Sequence, residues 1–445
     1  MTQMLGASIG SLCSEFTEVR EKTLNIFRPL NVEDAVIQSD VFGSPPNWHL
    51  AHTTWFFQKI LEKHNIKLEL KQQINTEYLN SYYQKFGKIL PKAERGRFPR
   101  PTVKDTLKYR LSMEKEVISF LKNVESSNQV LEELEYDIML ANNHEMQHQE
   151  LMIYDLQHYF QHFPDPKDNY KPITIRRSQR NPEKPTGMVQ IPGGIYELGF
   201  NGKGFCYDNE VPEHKVYLYP FKIDIAPITN GEYMKFIEDG GYEEFRYWLA
   251  DGWDIIKEEG WKTPLYWVRE DDKWMKKDFR GYCEIDPDEP VNNVSYYEAD
   301  AYARWTGKRL PTEAEWEKAA SWNEDMQRKT LYPWGDEKPT AKYSNLLESY
   351  IWAPTKIGSY PKGSSYYGCH QMIGDVWEWT SSEYILYPRF KSKFSEYTDK
   401  WVINQKVVRG GSFATPVNQI RNSYRNYFRP NDRILFAGFR CVKDI

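Results

Sequence analysis

Of the nine histidines in this 445-residue chain, two pairs have a spacing that could do chemistry. His144 and His148 stand four residues apart in Asn143-His144-Glu145-Met146-Gln147-His148-Gln149-Glu150-Leu151, so on a helix both imidazoles point the same way. Two neutral imidazoles on one helical face are half a site for a divalent transition metal. The second pair, His49 and His52, lies one helical turn apart among Trp48, Leu50, Trp55, Phe56 and Phe57. In so apolar a setting a histidine is more often a hydrogen-bonded core residue than a ligand. One inward histidine from this pair would nevertheless complete a three-histidine site between facing helices of a bundle. Glu150 falls roughly 200° round the helix from His148 and is expected to hydrogen-bond rather than ligate, whereas Gln147 lies about 60° from His144 and close to the metal face.

The elements that must position these residues are legible from periodicity. Up to about residue 163 the 3.6-residue pattern predicts helices near 8–29, 47–64, 102–122 and 129–162, a four-helix bundle with a partly irregular connection over 65–101. Pro45-Pro46 marks the start of the second helix. Pro164, Pro166, Pro172, Pro182 and Pro185 then break the pattern, predicting a linker over 164–186. From Gly187 to Ile445 the chain reads as an irregular α+β domain whose clearest helices are Asn230–Asp239, Ser295–Thr306 and one opening within Leu310–Glu317. Thirteen of the fifteen tryptophans fall after residue 240, and those of the 248–274 region are expected to serve packing.

Composition excludes several classes. A net charge of −5 with 27% charged residues suggests neither a nucleic-acid footprint nor a polybasic membrane patch. The five cysteines are scattered, without any CxxC, which points to a reduced cytoplasmic protein rather than a disulfide scaffold. No signal peptide or membrane-length apolar run is expected.

Three strings in the second half carry a family resemblance: Leu310-Pro311-Thr312-Glu313-Ala314-Glu315-Trp316-Glu317, Gly374-Asp375-Val376-Trp377-Glu378-Trp379 and Arg409-Gly410-Gly411-Ser412-Phe413. Together with Met188–Gly194 and Gly438-Phe439-Arg440 they resemble the formylglycine-generating-enzyme fold, a C-type-lectin-like domain. The reactive cysteines of the true formylglycine-generating enzymes are missing from Phe413–Ile420, so copper-thiolate oxidation of a protein cysteine is not expected. In the first half, Trp48-His49-Leu50-Ala51-His52 with His144-x-x-x-His148-x-Glu150 is similar to the DinB-like bundle of the sulfoxide synthases of ergothioneine and ovothiol biosynthesis. Asn80-Ser81-Tyr82-Tyr83, Val294–Asp300 and Tyr424–Phe428 look like the ergothioneine branch.

That resemblance implies iron(II) held by His52, His144 and His148. Three imidazoles leave about three positions for two substrates and dioxygen. The implied reaction joins the sulfur of cysteine to C2 of the imidazole of Nα-trimethylhistidine (hercynine), leaving a sulfoxide. Gln147 would contact the substrate imidazole, and Tyr82 or Tyr83 would supply a proton and an electron that divert the reaction from thiol oxidation. One of Arg95, Arg97 and Arg100, with Arg100 slightly favoured, would hold the cysteine carboxylate. Asn426, Tyr427 and Phe428 match the family's C-terminal substrate loop, but other members place Trp-Asp where this chain has Tyr427-Phe428, which favours free cysteine over γ-glutamyl-cysteine. The rivals are an ovothiol-type synthase, whose usual methyltransferase domain is not seen beyond the lectin-like one, a selenoneine-making relative, and a non-catalytic lectin-like binding module.

Overall fold

The computed structural model describes residues 9–97, 100–123, 130–162 and 182–445. Most of the expected linker, residues 164–181, lies outside them. The chain divides into two compact units, Met1–Ile173 with Gly202–Tyr207, and Thr174–Asn201 with Asp208–Ile445. Among the described residues no helix is long and apolar enough to cross a membrane.

The first unit is the expected bundle: α1 (Ile9–Phe27), α2 (Pro46–Lys63), α3 (Val103–Asn123) and α4 (Val130–Phe160), with α1 and α2 each packing on both α3 and α4. α2 starts where the proline pair dictates, with Pro45 extended and Pro46 in the first turn, where a missing N–H costs nothing. Every residue from Pro46 to Phe57 is buried, so this helix is central rather than amphipathic.

The face of α4 that carries Glu145 and Gln149 is spent on fixing the bundle. Fully buried Glu145 accepts from Arg20 Nη1 at 2.9 Å, from Thr23 Oγ1 at 2.6 Å and from Arg110 Nη2, tying α1, α3 and α4 together. Burial alone would raise its pKa, but the Arg110 and Arg20 guanidiniums win and hold it at about 2. Gln149 Nε2 donates to Val19 O and Thr23 Oγ1, both at 3.0 Å. With these two side chains turned toward α1, His144 and His148 face another way.

Between α2 and α3 the chain makes only short 3₁₀ turns, at Gln84–Phe86 and Lys92–Glu94 among the described residues. Buried Asn80 organises this stretch. Its Nδ2 donates to the carbonyls of Tyr83 (2.7 Å) and Gly87 (3.1 Å), its Oδ1 accepts from Tyr83 N (2.9 Å), and its own carbonyl accepts from Leu90 N (3.0 Å).

Among the described residues the second unit has four helices, α5 (Asn230–Glu238), α6 (Ala250–Glu259), α7 (Tyr296–Trp305) and α8 (Glu313–Ser321), among short strands. α5, α7 and α8 each open with a reciprocal capping box, Thr229/Glu232, Ser295/Glu298 and Thr312/Glu315. One sheet orders β1 (Met188–Ile191), β4 (Phe221–Asp224) and β14 (Val442–Asp444), with a hairpin of β2 (Gly194–Leu198) and β3 (His214–Leu218) nearby in sequence. A meander of β5 (Trp267–Glu270), β6 (Lys273–Asp278) and β7 (Gly281–Glu284) follows α6. After the short pair β8 (Trp322–Asn323) and β9 (Arg328–Lys329), a four-stranded sheet runs β12 (Asn426–Phe428), β11 (Lys406–Arg409), β10 (Trp377–Glu383), β13 (Ala437–Gly438). α6 and the meander lie in the tryptophan-rich region that was expected only to serve packing, although Leu249, Trp253 and Ile256 recur at helical spacing.

The recognisable strings of this unit turn out to be its internal ties. Arg409 donates to Glu313 at 3.0 Å and to Glu317, and Arg440 grips both oxygens of Glu378 at 2.7 Å. Asp375 accepts from Asn345 Nδ2, Thr355 N, Thr355 Oγ1 and Gln371 Nε2, all at 2.8–2.9 Å, yet burial still lifts its pKa to about 6. Gly374 and Gly410 have φ of 84° and 93° and are joined by a 3.0 Å backbone bond. A Cβ on them would meet carbonyl oxygens at 2.3 and 2.5 Å, so the motif needs glycine there.

Candidate metal centre

His52 from α2 and His144 and His148 from α4 converge inside the bundle, each offering a ring nitrogen within 4.8 Å of the others. His52 Nε2 stands 3.3 Å from His144 Nε2, and all three side chains are buried. Without a metal one proton can sit between those two nitrogens; with one, both lone pairs are needed for ligation. The other nitrogen of His52, Nδ1, is 2.6 Å from the carbonyl of Leu79. A carbonyl only accepts, so Nδ1 carries the proton and Nε2 is left with its lone pair.

Burial favours the same neutral form. It drives His144 down to about 3, against the partial compensation of neighbouring Glu145. His52 and His148 are pushed well below the ordinary value of 6.5, first by burial and then by the other histidines of the cluster. Three neutral, convergent imidazoles with no carboxylate among them suit a borderline transition metal and not calcium or magnesium.

Aromatic rings fix the site's walls. Trp48 stacks on His52 with ring centres 4.4 Å apart, and Phe56 packs on His144 at 4.1 Å. Phe56 also touches Tyr83 at 5.6 Å, which brings the tyrosine pair to the ligand's neighbour. The Tyr82 and Tyr83 hydroxyls are 3.0 Å apart; Tyr83 is buried and Tyr82 half-buried. Gln147 is half-buried on α4, and Glu150 accepts a 2.6 Å bond from Tyr154 one turn along.

A cleft beside the ligands is lined by Trp48, Leu79, Arg95 and Arg100 among others, so it begins at the residue whose carbonyl holds His52. Arg95 is buried, its guanidinium 3.6 Å from the centre of the Trp48 ring, and donates to Ser44 Oγ at 2.7 Å. Burial lowers its pKa to about 9. Arg100 reaches the cleft from an exposed position, and Arg97 is exposed. Asn426, Tyr427 and Phe428 make up β12 of the second unit, half-buried, with Tyr427 stacked on Tyr384 at 3.8 Å.

Residues 15–162 match the DinB superfamily, and residues 174–445 match the sulfatase-modifying factor enzyme 1-like domain. Over 316 residues the chain is 37% identical to the hercynine oxygenase of Mycolicibacterium smegmatis, spanning 69% of this chain and 71% of that one. The chain belongs to the hercynine oxygenase family. The hercynine oxygenases of Mycolicibacterium thermoresistibile and Mycobacterium tuberculosis are 41% and 42% identical over 54% of this chain, and the chain spans about half their length, 54% and 56%. As in the sequence reading, a DinB-like bundle is joined to a formylglycine-generating-enzyme-like domain.

Sequence reasoning about this hercynine oxygenase relative named His49 beside His52 but passed over Asp155, which backs it. His49 is 2.8 Å from His148, and Asp155 is 2.9 Å from His49. The signal was available: Asp155 lies seven residues, two turns, beyond His148 on the same helix.

Proposed function

We infer that this protein is an oxygen-dependent sulfoxide synthase of ergothioneine biosynthesis, joining cysteine sulfur to C2 of Nα-trimethylhistidine. The observation that carries the reading is the buried, carboxylate-free set His52, His144 and His148 in a chain of this family. The balance is one thiol, one imidazole C2–H and one dioxygen giving the C–S bond, the sulfoxide oxygen and one water. We propose iron(II) as the metal. When bound, it supplies redox chemistry and open positions for a thiolate and dioxygen.

The chain's own residues then have distinct tasks. Gln147, on the ligand helix, is assigned to the substrate imidazole. Arg95 and Arg100 share the cleft, and a buried guanidinium stacked on Trp48 suits Arg95 to grip the cysteine carboxylate bidentately. The phenols of Tyr82 and Tyr83, hydrogen-bonded to each other, hold the proton that steers the thiol away from simple oxidation. Asn426, Tyr427 and Phe428 are assigned to the trimethylammonium end, where aromatic faces suit a quaternary cation. Five free cysteines favour a cytoplasmic setting.

The test is anaerobic protein given iron(II), Nα-trimethylhistidine and air, with cysteine or γ-glutamyl-cysteine in parallel. A product mass equal to both substrates plus one oxygen less two hydrogens, with cysteine, is expected; cysteine sulfinate alone, or no oxygen uptake, overturns the reading.

A further inference from the structure

His49 lies outside the ligand set, yet its ring touches a ligand on one side and a carboxylate on the other. Its Nδ1 is 2.8 Å from Nδ1 of His148, and its Nε2 is 2.9 Å from Oδ2 of Asp155. The same oxygen accepts from Ser44 N at 2.9 Å. Gly43 closes over the carboxylate so tightly that a Cβ there would stand 2.7 Å from Asp155 Oδ1. His49, His148, Asp155 and Ser44 are all buried.

The direction of this chain of bonds is set from its acidic end. A carboxylate has no proton to give, so His49 donates through Nε2–H. A neutral imidazole that carries its proton on Nε2 has only a lone pair at Nδ1. His148 must therefore donate through Nδ1–H, which leaves its lone pair on Nε2, the nitrogen remaining for a metal. Two imidazoles meeting Nδ1 to Nδ1 can share only one proton, so the two rings are forced into opposite tautomers.

We propose that His49 and Asp155 are positioning residues that lock His148 in its metal-binding tautomer; this rests on the reading of His52, His144 and His148 as a metal centre. The arrangement makes the two ligands unlike. His52 leans on an uncharged backbone carbonyl, while His148 leans on an imidazole that is itself backed by an anion. Polarised in this way, His148 is the more electron-rich donor of the two.

The test uses the full-length protein and cobalt(II), with affinity read by competition against a chromophoric chelator. His49→Phe, which fills the space but accepts nothing, is expected to weaken cobalt(II) about 10–100-fold. His49→Gln can present its amide oxygen to His148 and its N–H to Asp155, and is expected to restore most of the loss. Asp155→Asn keeps the shape, removes the charge and weakens binding by a smaller factor. In zinc(II)-loaded protein with 15N-labelled histidine, His148 is expected to be protonated on Nδ1 and His49 on Nε2. Unchanged affinity in both His49→Phe and Asp155→Asn, or His49 protonated on Nδ1, overturns the proposal while leaving the metal centre intact. Wild-type protein that binds no cobalt(II), or binds it equally well as His144→Ala, overturns the metal centre and this proposal with it.

Discussion

In the bundle, His49, His52, His144 and His148 are buried as neutral rings that meet through nitrogen atoms. In the second unit the buried charged groups include arginines closed by carboxylates: Arg409 on Glu313 and Glu317, Arg425 on Glu313, Arg440 on Glu378. The arginine lattice is largely closed on itself, with Arg409 Nε left without a hydrogen-bond partner, and it holds shape. The histidine cluster is complete only when something takes the shared lone pairs. Burial of polar groups alone therefore does not mark a site; what marks it is donors and acceptors left in a ratio that an ion, and not another side chain, would balance.

The contrast can be broken most forcefully from the lattice side. Arg440→Ala leaves Glu378 buried without its guanidinium and is expected to cost about 3–5 kcal/mol of stability in denaturant unfolding, without changing metal affinity. Acid probes the other side. Above 6.5 the His144 ring is neutral whether the chain is folded or not; below it the unfolded chain takes up a proton that the folded site refuses until about 3. Stability is thus lost as the pH falls through that window, by about 2 kcal/mol at pH 5 for His144 alone. Asp375 has the opposite sign, since burial raises it to about 6 and acid favours its folded form. Comparing wild type with His144→Phe at pH 7 and pH 5 isolates the histidine contribution; equal slopes would contradict it.

An effect smaller than that of Arg440→Ala is expected from Asn80→Ala. It frees the carbonyls of Tyr83 and Gly87 and should cost about 1–3 kcal/mol while loosening the tyrosine pair, visible as faster amide exchange over 79–90. The smallest is the most telling. His144→Phe in metal-free protein replaces a desolvated ring by an apolar one and should change stability by less than about 1 kcal/mol at pH 7, while abolishing stabilisation by added metal. A loss as large as that of Arg440→Ala would erase the distinction between site and lattice.

The strings most easily recognised in the sequence, around Glu313, Glu378 and Arg409, are the lattice, and Asp375 beside them is tied by Asn345, Thr355 and Gln371; they reveal the fold and say nothing of the chemistry. The bundle was legible too, because α1 and α3 keep an amphipathic period and α2 is announced by Pro45-Pro46. The His144–His148 pair could be read from spacing, but the choice of His52 over His49 could not, since both sit in one buried helix. Position along α2 decides it: His52 reaches His144, and His49 reaches Asp155. The cleft was illegible, for it depends on how the irregular 65–101 segment folds back, and no periodicity encodes that path.

The acceptor that orients His52 is the main chain of Leu79. No substitution at position 79 deletes a carbonyl, so this contact is shielded from point mutation. It is not shielded from a change in length. Inserting or removing a residue between Leu79 and Tyr83 would displace a ligand's anchor relative to the paired phenols in a single step. Drift in this family should therefore be permissive in the side chain at position 79 and intolerant of gaps between it and Tyr83.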